Sequence, residues 1–239
     1  LAFLVATNCP ESIAIYAKLL SDGTTCCLLD KAIRKEILAG LIERYKPDVL
    51  YAPHDFNADG IHVLWKDKIG TYDILKLDQT SKNINKSLAL LLPTSGSTGS
   101  PKFVRISYQN LKANTESIIQ YLGIDSSSRH ITSLPMSYTY GLSCINTHLY
   151  GLGSLVCTEK SVITRDFWDL VSQYKVTTFS GVPYTYELIL RNSSDLLDRS
   201  TINTFTQAGG KLKEWCLEKL IDIAISQNKR VFIMYGQTE

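Results

Sequence analysis

Leu88-Ala89-Leu90-Leu91-Leu92-Pro93-Thr94-Ser95-Gly96-Ser97-Thr98-Gly99-Ser100-Pro101-Lys102-Phe103-Val104-Arg105-Ile106 is the stretch around which the chain is organised. The apolar run Leu88–Leu92 predicts a buried strand, and Phe103–Ile106 predicts a second strand directly after the connection. The connection is built from small, hydroxyl-bearing and glycine residues. Gly96 and Gly99 let the backbone turn at positive φ and come close to a ligand. The hydroxyls of Thr94, Ser95, Ser97 and Thr98 stand beside exposed N–H groups, and Lys102 supplies a compact positive charge. Such a loop suits a polyphosphate. It is not a Walker A loop, because Pro101 precedes the lysine and a strand follows instead of a helix. A plain Ser/Gly surface turn is the competing reading, and composition alone does not exclude it.

Working outward, the 239 residues are enough for one large domain or two subdomains. Apolar residues make up 44% and charged residues 20%, as in a soluble globular protein. A net charge of +2 without a basic run argues against nucleic acid or an anionic membrane as partner. No apolar run reaches the length of a membrane span, and Leu1–Thr7 is too short for a signal-peptide core. The six cysteines show neither CxxC nor metal-ligand spacing, so reduced thiols and a cytoplasmic location are expected. His54, His62, His130 and His148 are scattered, which gives a zinc site little support. The absent initiator Met, and an end directly after a strand and turn, lead us to expect a fragment.

Before the loop, Ala2–Ala6, Thr25–Leu29 and Val49–Ala52 read as strands separated by helices at Pro10–Leu20 and Lys31–Tyr45, with Asp30 as cap of the second. Elements of these lengths in this order imply parallel pairing. Ile61–Trp65 and Tyr72–Leu77 are further strands, and 78–87 reads as a polar linker. After the loop, Ser107 can cap a helix to about Leu122. Strands and helices then alternate through Ile131–Leu134, Leu142–Tyr150, Ser154–Thr158, Asp166–Tyr174, Val176–Phe179, a helix after Pro183, Thr204–Gln207, Lys211–Gln227 and Val231–Met234. The class is α/β, with a first part at 1–87 and a second, loop-bearing part at 88–239.

The order Thr94-Ser-Gly-Ser-Thr-Gly-Ser-Pro-Lys102 resembles the signature of the AMP-forming adenylate synthetases, which include acyl-CoA synthetases and the adenylation domains of peptide synthetases. Further stretches resemble that superfamily in the same order. Leu134-Pro-Met-Ser-Tyr138-Thr-Tyr140-Gly141-Leu142 is similar to its Leu-Pro-Leu-x-His-x-x-Gly-Leu element, with Tyr138 where many members carry histidine. Gly181-Val182-Pro183 is similar to its Gly-Val-Pro segment. Gln207-Ala208-Gly209-Gly210-Lys211 resembles its adenine-side turn, and Tyr235-Gly236-Gln237-Thr238-Glu239 its Tyr-Gly-x-Thr-Glu element.

The resemblance implies layered, mostly parallel sheets flanked by helices, and ATP-dependent conversion of a carboxylic acid to an acyl-adenylate with loss of pyrophosphate. Transfer to CoA or to the pantetheine thiol of an acyl carrier protein would follow. It implies that Thr94, Ser95, Gly96, Ser97, Thr98, Gly99 and Lys102 hold the β- and γ-phosphates. Gly209, Gly210, Lys211, Tyr235, Gly236 and Gln237 would frame the nucleotide. Thr238 would touch the α-phosphate and Glu239 would bind Mg²⁺. Tyr138, Gly181 and Val182 would line the acyl pocket. The family's later ribose-binding aspartate, hinge and lysine-bearing C-terminal domain are not in these residues, so they are expected to be inactive alone. A non-catalytic relative that binds a nucleotide or a partner is the alternative.

Overall fold

The computed structural model describes residues 1–78, 83–93, 102–192 and 194–239. They form two units, Leu1–Asn114 with Thr238–Glu239, and Thr115–Gln237.

In the first unit β1 (Ala2–Ala6), α1 (Pro10–Ser21), β2 (Cys26–Asp30), α2 (Lys35–Tyr45) and β3 (Val49–Pro53) alternate. They are followed by β4 (Val63–Ile69), β5 (Tyr72–Leu77), β6 (Leu88–Pro93), β7 (Phe103–Ser107) and the start of α3 (Tyr108–Leu122). The strands make one seven-stranded sheet in the order β4-β5-β3-β1-β2-β6-β7. β1 pairs in parallel with β2 and β3, as its strand–helix–strand spacing predicts, and every one of its residues is buried. That explains its unbroken apolar sequence, because covered sheets bury both strand faces. Phe3, Val5, Leu29, Leu38, Leu41 and Leu50 lie in one apolar cluster. β6 and β7 pair antiparallel on either side of the Ser/Gly connection, so both strands of the opening stretch are present.

The start of α2 differs from the sequence reading. Asp30 does not cap α2; its carboxylate accepts from Ala32 N at 2.8 Å and its carbonyl from Ile33 N at 3.0 Å, closing a turn. The helix begins only after Arg34. Such side-chain-to-backbone bonds compete with helix initiation. Ser107, by contrast, does cap α3: its Oγ accepts from Asn110 N at 3.0 Å and donates to Asn110 Oδ1 at 2.7 Å.

The second unit continues α3 and adds β8 (Arg129–Ile131), α4 (Thr139–Tyr150), β9 (Ser154–Val156), α5 (Arg165–Gln173) and β10 (Thr178–Gly181). α6 (Pro183–Asn192), α7 (Ser194–Arg199), β11 (Thr204–Gln207), α8 (Glu214–Ser226) and β12 (Arg230–Ile233) complete it. α8 starts after Lys213, three residues later than its periodicity suggests. The five strands run in the order β12-β11-β10-β8-β9, all parallel. Counting both sheets, seven of the ten strand pairings among the described residues are parallel, and the α/β layering expected from the sequence is what the chain adopts.

The two faces of the second sheet differ in kind. On one, Phe179 and Phe205 are fully buried among Phe167, Tyr186, Leu197 and Leu220. The rings meet edge to face, with 5.8 Å between the centroids of Phe179 and Tyr186. Each such phenylalanine contributes about 1.5–3 kcal/mol by leaving water. On the other, the alternate positions His130, Thr178, Ser180, Thr204 and Thr206 are polar and equally buried. α4 packs on β8 and β9. Among the described residues no helix is long and apolar enough to cross a membrane.

Candidate active site

The C-terminal strand ends of the second sheet gather three separate sequence motifs. Open α/β sheets bind ligands at this edge because the strand-to-helix loops splay apart there. Tyr138 is the N-cap residue of α4, at 40% exposure, on the connection from β8. Gly181 closes β10 and is buried, and Val182 follows it. Gly209 and Gly210 turn the chain after β11, with φ of +84° at Gly209.

These positions touch. A Cβ built on Gly209 would lie 2.7 Å from Tyr138 Oη and 3.1 Å from Val182 Cγ1, and one on Gly210 would lie 3.3 Å from Pro183 Cγ. The phenol of Tyr138 therefore rests where any side chain at 209 would go. Gly141, in the first turn of α4, is needed for a different reason: a Cβ there would sit 2.2 Å from the Pro135 carbonyl oxygen. The turn is also tied from below. Gln207 is wholly buried, and its Nε2 donates to Ala208 O at 3.1 Å and to Gly210 O at 2.8 Å. Its Oε1 has no hydrogen-bond partner among the described residues.

The remaining expected residues divide between the two units. Tyr235, Gly236 and Gln237 follow β12 without regular structure, and the Tyr235 ring is 91% exposed. Met234 N donates to Gln207 O at 2.7 Å, so this tail leaves the sheet beside the glycine turn. Lys211 is exposed on the same connection as the two glycines. Lys102, Thr238 and Glu239 belong to the first unit; Lys102 and Glu239 are exposed and Thr238 is half-buried. Thr94, Ser95, Gly96, Ser97, Thr98 and Gly99 lie outside the described residues.

One feature escaped the sequence reading. Behind Tyr138, Tyr140 Oη and Thr206 Oγ1 are 2.6 Å apart, Thr206 Oγ1 and Ser180 Oγ 2.7 Å, and Cys144 Sγ donates to Ser180 Oγ at 3.1 Å. Burial pushes the Cys144 thiol up to about 11, so it is a thiol and not a thiolate. Burial likewise raises the Tyr140 phenol. Deeper, Thr178 Oγ1 lies 2.9 Å from His148 Nε2 and 3.3 Å from His130 Nδ1, while His148 Nδ1 is 2.8 Å from Cys144 O. A carbonyl can only accept, so His148 carries its proton on Nδ1 and its Nε2 accepts a hydrogen bond from Thr178 Oγ1. Burial lowers both histidines' pKa, His130 well below the ordinary value, so both are neutral. These groups surround a cavity of about 40 Å³ beneath α4. The signal lay in Thr178-Phe179-Ser180 and Thr204-Phe205-Thr206, where polar and aromatic residues alternate.

The profile of the family described as "AMP-binding enzyme" matches residues 58–239, and the chain belongs to that family. Among curated proteins it is 32% identical over 101 residues to "4-coumarate--CoA ligase-like 6" of Arabidopsis thaliana, covering 40% of this chain and 18% of that protein. It is 28% identical over 159 residues to "Peroxisomal OPC-8:0-CoA ligase 1" of the same plant, covering 63% and 28%. It is 27% identical over 210 residues to "Trichosetin synthetase PKS-NRPS1" of Gibberella fujikuroi, covering 84% and 5%. Among solved structures, the fold superposes on CmiS6 with a TM-score of 0.79 at 19% identity, covering all of this chain and 58% of that one. The malonyl-CoA ligase ternary product complex with methylmalonyl-CoA and AMP gives a TM-score of 0.76 at 20% identity, covering all of this chain and 52% of that one. The chain thus spans about half the length of these structures and less than a third of these curated relatives.

Proposed function

We propose that the protein activates a carboxylic acid with ATP, forming an acyl-adenylate and pyrophosphate, and then passes the acyl group to the thiol of CoA or of a carrier-protein pantetheine. The observation that carries this reading is the contact of Tyr138, Val182 and Gly209. Three motifs far apart in sequence meet at the edge of a parallel sheet, in a chain of the AMP-binding enzyme family. In this reading residues 1–239 supply the nucleotide-binding part of the site.

The acid's carboxylate attacks the α-phosphorus while pyrophosphate leaves, so negative charge redistributes over phosphate oxygens and no protein nucleophile is required. Positioning and electrostatic stabilisation carry the rate. In this reading the exposed Tyr235 ring stacks on adenine, and the turn held by Gln207 lies along its other edge. Lys102 neutralises charge on the β- and γ-phosphates, and the hydroxyls of Thr94, Ser95, Ser97 and Thr98 donate hydrogen bonds to them. Thr238 donates to the α-phosphate, and Tyr138 with Val182 shapes the entrance of the acyl pocket.

The donor set also fits Mg²⁺. Glu239 offers an exposed carboxylate and Thr238 a hydroxyl, both hard oxygen donors. An ion held mainly by phosphates and water needs few protein ligands, and one carboxylate suffices. When bound, Mg²⁺ supplies charge neutralisation at the phosphates.

Pyrophosphate exchange by the full-length protein, with a panel of carboxylic acids, tests the reading. Exchange should require an acid. Lys102→Ala should weaken it by about 1–3 kcal/mol, about 5- to 150-fold, as for a lost charge-assisted contact. Full exchange by Lys102→Ala would show that the Ser/Gly connection is only structural.

A further inference from the structure

The cavity beneath α4 lies one helical step behind Tyr138. Tyr140 lines it, and its ring centroid is 6.5 Å from that of Tyr138. Met234 also lines it, and packs with Val182 on the cluster of Leu134, Tyr140, Cys144 and Ala208. An acid whose carboxylate is at the strand ends would send its far end into this space.

The chemistry of the walls restricts what that end can be. Tyr140, Thr206, Ser180 and Cys144 are four X–H groups joined by three hydrogen bonds, which leaves one proton to be donated outside the series. Each link between hydroxyls can be reversed. The series can therefore offer either a donor or an acceptor at Tyr140, whose ring lies 6.5 Å from that of Tyr138. Further in, the neutral pair His130 and His148 bracket Thr178. Among the described residues no carboxylate lines the cavity, so an ammonium would enter without a counter-charge. Arg230, a cationic residue of the lining, already donates through Nε and Nη2 to Thr204 Oγ1 at 3.2 and 2.8 Å and lies 5.7 Å from the Phe232 ring.

Size restricts it further. At about 40 Å³ the cavity has room for a small polar group and too little for a long hydrocarbon chain. A short hydrocarbon end would leave the one spare proton of the series without an acceptor.

We propose that the cavity selects short carboxylic acids bearing an uncharged hydroxyl or carbonyl group a few bonds from the carboxylate, against long-chain acids, amino acids and dicarboxylates. This rests on the adenylation reading above and names its substrate class.

The test is pyrophosphate exchange by the full-length protein with 3-hydroxybutyrate, acetoacetate, butyrate, octanoate, β-alanine and succinate. The hydroxy or oxo acid should exceed butyrate at least tenfold in kcat/KM, with octanoate, β-alanine and succinate below butyrate. Thr206→Val and Ser180→Ala should collapse the hydroxybutyrate-to-butyrate ratio toward one while KM for ATP stays unchanged. The wild-type panel decides the matter even if either variant misfolds. Equal use of butyrate, or preference for octanoate, β-alanine or succinate, overturns the substrate class and leaves adenylation standing. Absence of exchange with every acid, in a protein that binds ATP, overturns the adenylation reading itself.

Discussion

Replacing Gly209 by alanine probes the turn on which the candidate site depends. The φ of +84° lies where an L side chain is disfavoured by about 1–2 kcal/mol. The new Cβ would also meet Tyr138 Oη at 2.7 Å and Val182 Cγ1 at 3.1 Å. Ordinary contact begins near 3.4 Å, so the phenol must retreat by roughly 0.7 Å and the valine by a few tenths. Tyr138 is 40% exposed and can swing outward, so these contacts add little and the backbone term dominates. The expected loss is about 2 kcal/mol, which in a chain of this size lowers the melting temperature by about 4–8 °C. Thermal denaturation followed by circular dichroism measures it. A double-mutant cycle with Tyr138→Phe, which removes the closest atom, should show coupling below about 0.5 kcal/mol. A Gly209→Ala chain that melts with the wild type refutes the reasoning, and coupling near the full 2 kcal/mol would show that the ring and not the backbone sets the cost.

Gly40 should behave in the opposite way: it lies inside α2, with nothing within 4 Å of a built Cβ, so Gly40→Ala should raise stability by about 0.5–1 kcal/mol in the same melting assay. Calorimetric titration of the full-length protein with ATP should show a Mg²⁺-dependent gain in affinity that Glu239→Gln removes; an unchanged Mg²⁺ response would remove Glu239 from the metal site. His130 and His148 are held neutral, with pKa depressed below the ordinary 6.5, so the unfolded chain binds more protons than the folded one as pH falls. Their contribution should be complete above about pH 6.5 and decline below it, and melting temperatures between pH 8 and pH 5 should show a fall that His148→Gln flattens.

Much of this fold is legible in the sequence because strand and helix periods there agree with the pairing. The run from Ala2 to Pro53 alternates elements at lengths that permit parallel crossovers, and the order β3-β1-β2 follows. The strands around the Ser/Gly connection are equally clear. Element starts are less legible: Asp30 looks like a helix cap but spends its oxygens on a turn, a choice between two local hydrogen-bond patterns that composition does not settle. In the site, the motifs identified Tyr138, Val182 and Gly209 separately, yet nothing in their spacing showed that they touch. The buried hydroxyls were hidden for another reason. Alternating polar and apolar residues in a strand ordinarily mean one face in water and one in the core. Here both faces are interior, a distinction that depends on α4 and is absent from the strands themselves.

That two-sided interior has a consequence for how β10 and β11 find their places during folding. A strand with two equally apolar faces can invert at little cost, but these two cannot. Shifting either by one residue would push Phe179 or Phe205 among the hydroxyls and imidazoles and drive Ser180 or Thr206 into the aromatic cluster, stranding polar atoms on one side and leaving voids on the other. The alternation acts as a proofreading code for alignment. It rejects half of all misregistered pairings between neighbouring parallel strands, those offset by an odd number of residues.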